Sequence, residues 1–299
     1  MSGKDRGLAL VVALLWGLNF PATSFALEHW PPLLMASLRF AVLVIPTVLF
    51  VPRPKVKLVW LLGTGIGLGL VQFALIYLAM DRGMPPGLAS IVLQASAPFT
   101  IIIAGIFLGE RLTRRQSIGV AIAVLGLIII AVHRAQVAAV WPVVLTLLAA
   151  FGWAVGNICS RQARAPKPLH MTFWISLIPP LPLFGLSWLV EGPDRIGAAF
   201  GTALTPAALR PNLGLLFIIV GAMIVGYGIW NTLLSRHPSN QVAPFSMLVP
   251  IFGVLSSWVV FDEVPSWVEL AAGALVVGGV LFASLSWRRQ SKFVPEPGT

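Results

Sequence analysis

A chain of 299 residues that is 58% hydrophobic and 10% charged, with a mean hydropathy of +0.91, is too poor in charge for soluble domains, which carry roughly 25%. About ten spans of roughly 20 apolar residues would use some two thirds of it and leave only short loops. The formal charge of +10 would suggest nucleic acid in a soluble chain, while the single Cys159 excludes an intrachain disulfide, and His29, His133, His170 and His237, scattered singly, leave metal or other cofactors unsupported.

Apolar runs bounded by charges or by Pro and Gly clusters predict ten membrane helices near 6–26, 32–51, 58–80, 86–108, 116–133, 139–160, 169–190, 212–234, 239–261 and 266–287. The start, MSGKDRGLALVVALLW, has no small-residue cleavage site within signal length and reads as span 1. Trp16, Asn19 and Thr23 share one face of that span by i, i+3, i+7 spacing. Span 2 carries Arg39 about 10 Å beyond its first boundary, too deep for an interfacial position. There Arg39 either attracts a substrate carboxylate or serves the structure, by satisfying helix-end carbonyls or by pairing with Glu28 or Asp81.

Gly63, Gly65, Gly67 and Gly69 set two overlapping G-x-x-x-G stripes on span 3, a surface for close helix approach. They are not a dinucleotide fingerprint, because Leu68 and Leu70 stand where its third glycine is required. Gln72 and Tyr77 follow in span 3, Ser90 and Gln94 in span 4, Trp153, Asn157 and Ser160 in span 6, and Tyr227, Trp230 and Asn231 in span 8. Any one of these amides alone reads as an interhelical hydrogen bond. Together with deep indoles they read as a cavity lining that stacks an apolar or aromatic group and hydrogen-bonds its polar ends.

Pro21, Pro98, Pro179, Pro180, Pro244 and Pro250 are expected to break helices inside the membrane, as hinges or static kinks. Trp30, Trp60, Trp141, Trp188, Trp267 and Trp287 fall near span ends, where an indole sits at headgroup level; Trp174 lies deeper. Glu110 and Glu263 close spans 4 and 9, where pairing with Arg or capping is the ordinary role. Glu269 is only a few residues into span 10, so no carboxylate stands at the bilayer centre as an obvious proton relay or cation ligand.

With the N-terminus in the cytoplasm, the inner segments and tail hold fifteen Lys and Arg, against Arg82, Arg134, Arg195 and Arg210 outside. Positive charge accumulates on the cytoplasmic side, so an even span count puts both termini there.

The chain also repeats itself. Trp16, Asn19, Pro32, Met35 and Pro46 recur as Trp153, Asn157, Pro168, Met171 and Pro182 at offsets of 136 to 138. Tyr77, Pro85 and Glu110 recur as Trp230, Pro238 and Glu263 at 153, and Pro98 as Pro250 at 152. The difference of about 16 residues falls in the 191–211 loop. Residues 1–135 and 136–287 are thus two five-helix units, with 288–299 a cytoplasmic tail. An odd number of spans per unit sends the second copy into the membrane from the other side, the inverted repeat of many secondary transporters.

These residues carry a resemblance. W-x-x-N in span 1, Pro32 to Arg39-Phe40 entering span 2, a proline in the fourth helix of each unit with a glutamate 12 or 13 residues later, and glycine-rich last helices with Gly119 and Gly126 or Gly273 and Gly279 resemble the EamA branch of the drug/metabolite transporter superfamily. Within that branch the chain is most similar to the YddG-type amino-acid exporters of bacteria. Trp174-Ile175 stands where Arg39 would recur, so no role for Arg39 is carried to the second unit.

The resemblance implies an all-α, ten-helix carrier of the bacterial inner membrane that exports aromatic and other neutral amino acids, or similar small metabolites, by alternating access; a monomer is a separate expectation, not part of the resemblance. Drugs, nucleotide sugars or phosphate esters are the alternative cargo, although phosphate cargo wants several basic side chains and only Arg39 is placed for it. The motifs of intramembrane hydrolysis, H-E-x-x-H and G-x-S-x-G, are missing, and no filter motif marks a channel.

Overall fold

Without water in the bilayer core, every backbone N–H and C=O must pair inside its own segment, which an apolar run of this length achieves as a helix. The computed structural model describes residues 1–137, 139–237 and 239–284. No strand occurs among the described residues. Among the described residues, ten helices are long and apolar enough to cross a membrane: Gly3–Leu27, Pro32–Phe50, Leu58–Asp81, Pro86–Leu108, Arg114–Gln136, Trp141–Ala163, Pro168–Val190, Pro206–Arg236, Ala243–Phe261 and Trp267–Ser284. They are spans 1 to 10 below. Trp287 and the tail at 288–299 lie outside the described residues.

The helices are irregular in matched places. Span 2 stops at Ala41 and restarts at Val44, and span 7 stops at Ile175 and restarts at Pro180. Span 3 widens to π-helical turns over Gly65–Val71, and span 8 over Phe217–Gly226. Span 4 tightens to a 3-10 turn at Leu93–Ala95, and span 9 at Ala243–Leu248. These second occurrences fall within a few residues of the offsets that align the two sequence units.

The prolines account for some of this. Pro179 and Pro180 sit at the restart of span 7, Pro244 lies in the 3-10 turn of span 9, and Pro98 and Pro250 sit in the first turn of the helices that follow the 3-10 turns. Pro21 departs from expectation, lying inside the uninterrupted helix Gly3–Leu27.

Spans 4 and 9 also end alike, on left-handed residues, Gly109 at φ 65° and Asp262 at φ 53°. Glycine takes this conformation freely, whereas aspartate bears the cost of its Cβ. Asp262→Gly should therefore stabilise the protein by about 1 kcal/mol, read as a higher thermal midpoint in detergent. An unchanged or lower midpoint would mean that the aspartate side chain contributes more than its backbone costs.

Small residues set the packing. A Cβ on Gly67 would lie 2.6 Å from Gly152 O and Gly156 N, and one on Gly63 would meet Cys159 Sγ at 2.6 Å, so span 3 lies against span 6 backbone to backbone. Gly65 and Gly69 face Ile178 and Pro179 of span 7. Spans 5 and 10 are paired likewise, with Gly119 against Gly279 and Ala283, and Gly126 against Ala272 and Val276.

The end of the bundle that holds Gly3 and the 164–167 turn is the near end; that of 28–31 and 191–211 is the far end. At the near end Glu110 pairs with Arg161, and Asp5 Oδ2 lies 2.9 Å from His237 Nε2. At the far end the Glu191 carboxylate accepts hydrogen bonds from the backbone N–H of Leu33 at 2.7 Å and of Leu34 at 3.1 Å, and from Ser187 Oγ at 2.5 Å. A short helix, Pro193–Gly201, follows, with Ile196 and Ala199 buried. Arg195 lies 3.8 Å from Asp81, Arg210 lies 3.9 Å from Glu28, and His29 Nε2 is 2.8 Å from Ala199 O.

Trp30 corrects the expectation of a headgroup belt. It is 5% exposed: its indole N–H donates to Asn212 Oδ1 at 3.0 Å, and Phe200 of the 191–211 segment packs edge-on against its ring at 5.5 Å. Trp141, Trp188 and Trp267 are exposed at span ends, as expected. Ser266 and Glu269 form a reciprocal cap at the start of span 10, and Glu269 lies 4.0 Å from Arg134.

Candidate functional site

The irregular helices surround a cavity of about 630 Å³. It reaches the near end at Ala165, Pro168 and Leu169 and extends toward the far end as deep as Met80 and Ser90. Spans 1 to 4 and 6 to 9 contribute to the wall; none of the residues of spans 5 and 10 does. All eleven residues expected from the sequence line it: Trp16, Asn19, Arg39, Gln72, Tyr77, Gln94, Trp153, Asn157, Tyr227, Trp230 and Asn231.

Arg39 stands on the first helical piece of span 2, Pro32–Ala41, and is 3% exposed. Its Nη1 donates to the Tyr77 hydroxyl at 2.7 Å, its guanidinium carbon lies 3.8 Å above the Phe73 ring, and its Nε has no acceptor. The pairings weighed for it with Glu28 and Asp81 do not form. Glu28 lies beside Arg210, and Asp81 beside Arg82 and Arg195.

Trp16 donates its indole N–H to Ala222 O at 3.0 Å, and its ring lies 5.1 Å from those of both Tyr227 and Trp230. This three-ring group needs Gly226, where a Cβ would fall 2.8 Å from Trp16 Nε1. Trp153 lines the cavity from span 6, half-buried.

The amides divide by partner. Asn157 Nδ2 donates to Thr100 Oγ1 at 3.4 Å, Asn231 Nδ2 to Tyr227 O at 2.8 Å, and Gln94 Nε2 to Met247 Sδ at 3.6 Å. Asn19 Oδ1 is buried and receives no hydrogen bond. Thr23 spends its hydroxyl on Asn19 O, and Ser90 on Gly87 O. Trp174 lies outside the wall, donating to Val51 O at 2.9 Å.

Sequence reading missed Phe20, Phe73, Phe173, Met80, Met223 and Met247, which also line the cavity. An apolar side chain in an apolar span carries no local mark of facing a cavity rather than a neighbour. Arg39 is the sole ionisable cation of the wall, with no Asp, Glu, Lys or His among the described lining residues.

The sequence that builds this bundle and its cavity matches a known family. The EamA-like transporter family model fits residues 7–132 and again 140–285. The chain belongs to that family. A probable amino-acid metabolite efflux pump of Salmonella typhimurium is 41% identical over 294 residues, covering 96% of this chain and 97% of that one. A protein of the same description from Escherichia coli is 39% identical, covering 98% and 99%. A probable terminal-alkyne amino-acid exporter of Streptantibioticus cattleyicolor is 25% identical over 97% of both chains. A crystal structure at 22% identity superposes with a TM-score of 0.61 over 97% of this chain and all of the other, which supports the fold. This EamA-like protein is thus a multi-pass membrane transporter.

Proposed function

We propose that this EamA-like transporter exports amino acids, aromatic and other neutral ones, or similar small metabolites from the cytoplasm by alternating access. The cavity carries the reading. A volume of about 630 Å³ accommodates an amino acid, the Trp16, Tyr227 and Trp230 rings offer it a stacking surface, and Gln72, Gln94, Asn157 and Asn231 offer polar contacts. The two relatives near 40% identity are each described as a probable amino-acid metabolite efflux pump, which agrees.

The positive-inside asymmetry makes the near end cytoplasmic, so the cavity faces the compartment from which an exporter loads. Residues 1–135 and 136–287 act as inverted units around it, in a bacterial inner membrane and as a monomer. The paired breaks, wide turns and left-handed caps support that division.

The test is uptake of labelled amino acids into proteoliposomes of the purified protein, with and without an imposed proton gradient. Saturable uptake of phenylalanine or leucine is expected. Movement of phosphate esters or drugs alone would discard the substrate class. Trp16→Ala should raise the half-saturation for phenylalanine about 3- to 10-fold, the worth of one ring contact. Trp258→Ala, on an exposed face, should leave it unchanged. Equal transport by Trp16→Ala would remove the ring group from the site.

A further inference from the structure

The reading of the cavity as an amino-acid site underlies a more specific one, which concerns the part of the ligand the site requires. A guanidinium keeps its charge in proteins, and at membrane depth that charge calls for an anion. Arg39 has none. Its one hydrogen bond goes to a neutral phenol, its face rests on Phe73, and its Nε edge is unmet. Among the far-end carboxylates, Glu28 is engaged with Arg210, Asp81 with Arg82 and Arg195, and Glu191 with the backbone of Leu33 and Leu34; none of the three pairs with Arg39. The planar fork of arginine matches a carboxylate through two parallel hydrogen bonds.

An ammonium entering the same cavity finds no such counterpart. No acidic residue lines the described wall. What remains for it are ring faces and amide oxygens, among them Asn19 Oδ1, which lacks a donor. A ring face attracts a cation only modestly, and an amide oxygen accepts equally from an ammonium, an amide N–H or a hydroxyl.

We propose that the carboxylate is the obligatory recognition element, held by Arg39, and that the free ammonium is dispensable. The site therefore takes α-substituted monocarboxylates with an apolar or aromatic side chain, N-acylated amino acids and 2-hydroxy acids alongside amino acids. It turns away amines and amides of the same skeleton. Arg39 lies toward the far end of a cavity that reaches the near end, so the carboxylate leads the ligand inward.

Competition against labelled L-phenylalanine uptake in proteoliposomes tests this on the unmodified full chain, so nothing depends on a variant folding. N-acetyl-L-phenylalanine and 3-phenyllactate should compete within about 5-fold of phenylalanine, and phenylalaninamide and phenethylamine on the order of 100-fold more weakly. Arg39→Gln should bring phenylalanine and phenylalaninamide to similar, weak competition, and Arg39→Lys should restore part of the difference. Phenylalaninamide competing as well as phenylalanine overturns the proposal. So does a failure of both N-acetyl-L-phenylalanine and 3-phenyllactate to compete.

If labelled phenylalanine is not moved at all, the same compounds are compared as stabilisers of the purified protein against heat. Stabilisation by the carboxylates and not by the amines then supports the site while the amino-acid export reading fails. No stabilisation by any carboxylate overturns the site as well.

Discussion

Gly67→Ala should lower the thermal midpoint by about 5 °C or more, while Gly278→Ala leaves it within about a degree. The two glycines lie in comparable apolar helices but differ in what a methyl group meets. At Gly67 it falls 2.6 Å from both Gly152 O and Gly156 N and 2.7 Å from Gly156 Cα, whereas at Gly278 nothing lies within 4 Å. Backbone atoms cannot rotate aside as a flexible side chain can, so spans 3 and 6 must separate along their shared length. Overpacking of this kind costs about 1–3 kcal/mol, and a larger side chain such as valine should prevent recovery of monodisperse protein. Thermal unfolding of the two alanine variants in one detergent checks the contrast. Equal midpoints would mean that the helices are not in backbone contact at Gly67.

Glu191→Ala should be at least as damaging, through chemistry rather than volume. Span 2 begins at Pro32 after Pro31, which has no side-chain oxygen to cap the first turn. Its orphan N–H groups at Leu33 and Leu34 are buried, and the Glu191 carboxylate, reaching from the end of span 7, satisfies both. Its negative charge also meets the positive end of the span 2 helix. Alanine there leaves two buried donors unmet, at about 2–5 kcal/mol in total.

The same contact ties the two sequence units across the far end, so its loss should favour a form opened on that side. A cysteine introduced at Ala36, completely buried against the core, should react faster with a membrane-impermeant maleimide in Glu191→Ala than with Glu191 intact. Glu191→Gln, which keeps an acceptor but loses the charge, should fall between. Wild-type stability and labelling in Glu191→Ala would show that the cap is not what closes this end.

The sequence made the spans and the cavity lining legible for one reason, that hydrocarbon is an exacting solvent. Asn19, Arg39, Gln72 and Asn157 stand out because a polar group in an apolar run must have a destination. The repeat was readable from Trp16 with Trp153 and Tyr77 with Trp230, and the helix irregularities follow those offsets to within a few residues. What stayed hidden were relations between distant segments. Nothing near Glu191 announces that it caps a helix 158 residues earlier. Trp30 sits at a span end like a headgroup tryptophan, and only the folding of 191–211 over it distinguishes the two cases. Phe73 looks like any core phenylalanine until a guanidinium lies on it.

The wide turns in spans 3 and 8 have a mechanical consequence. A helix closed i to i+5 offers each N–H another carbonyl one residue closer, so a segment can rewind by trading one hydrogen bond for the next without exposing a bare polar group to lipid. Such rewinding turns everything beyond it about the helix axis. In span 3 that moving part is Gln72–Asp81, which carries Tyr77 and, four residues on, Asp81. The hydroxyl that holds Arg39 and the carboxylate beside Arg195 are thus mounted on one shaft, and the wide turns at Gly65–Val71 below them are where it would swivel.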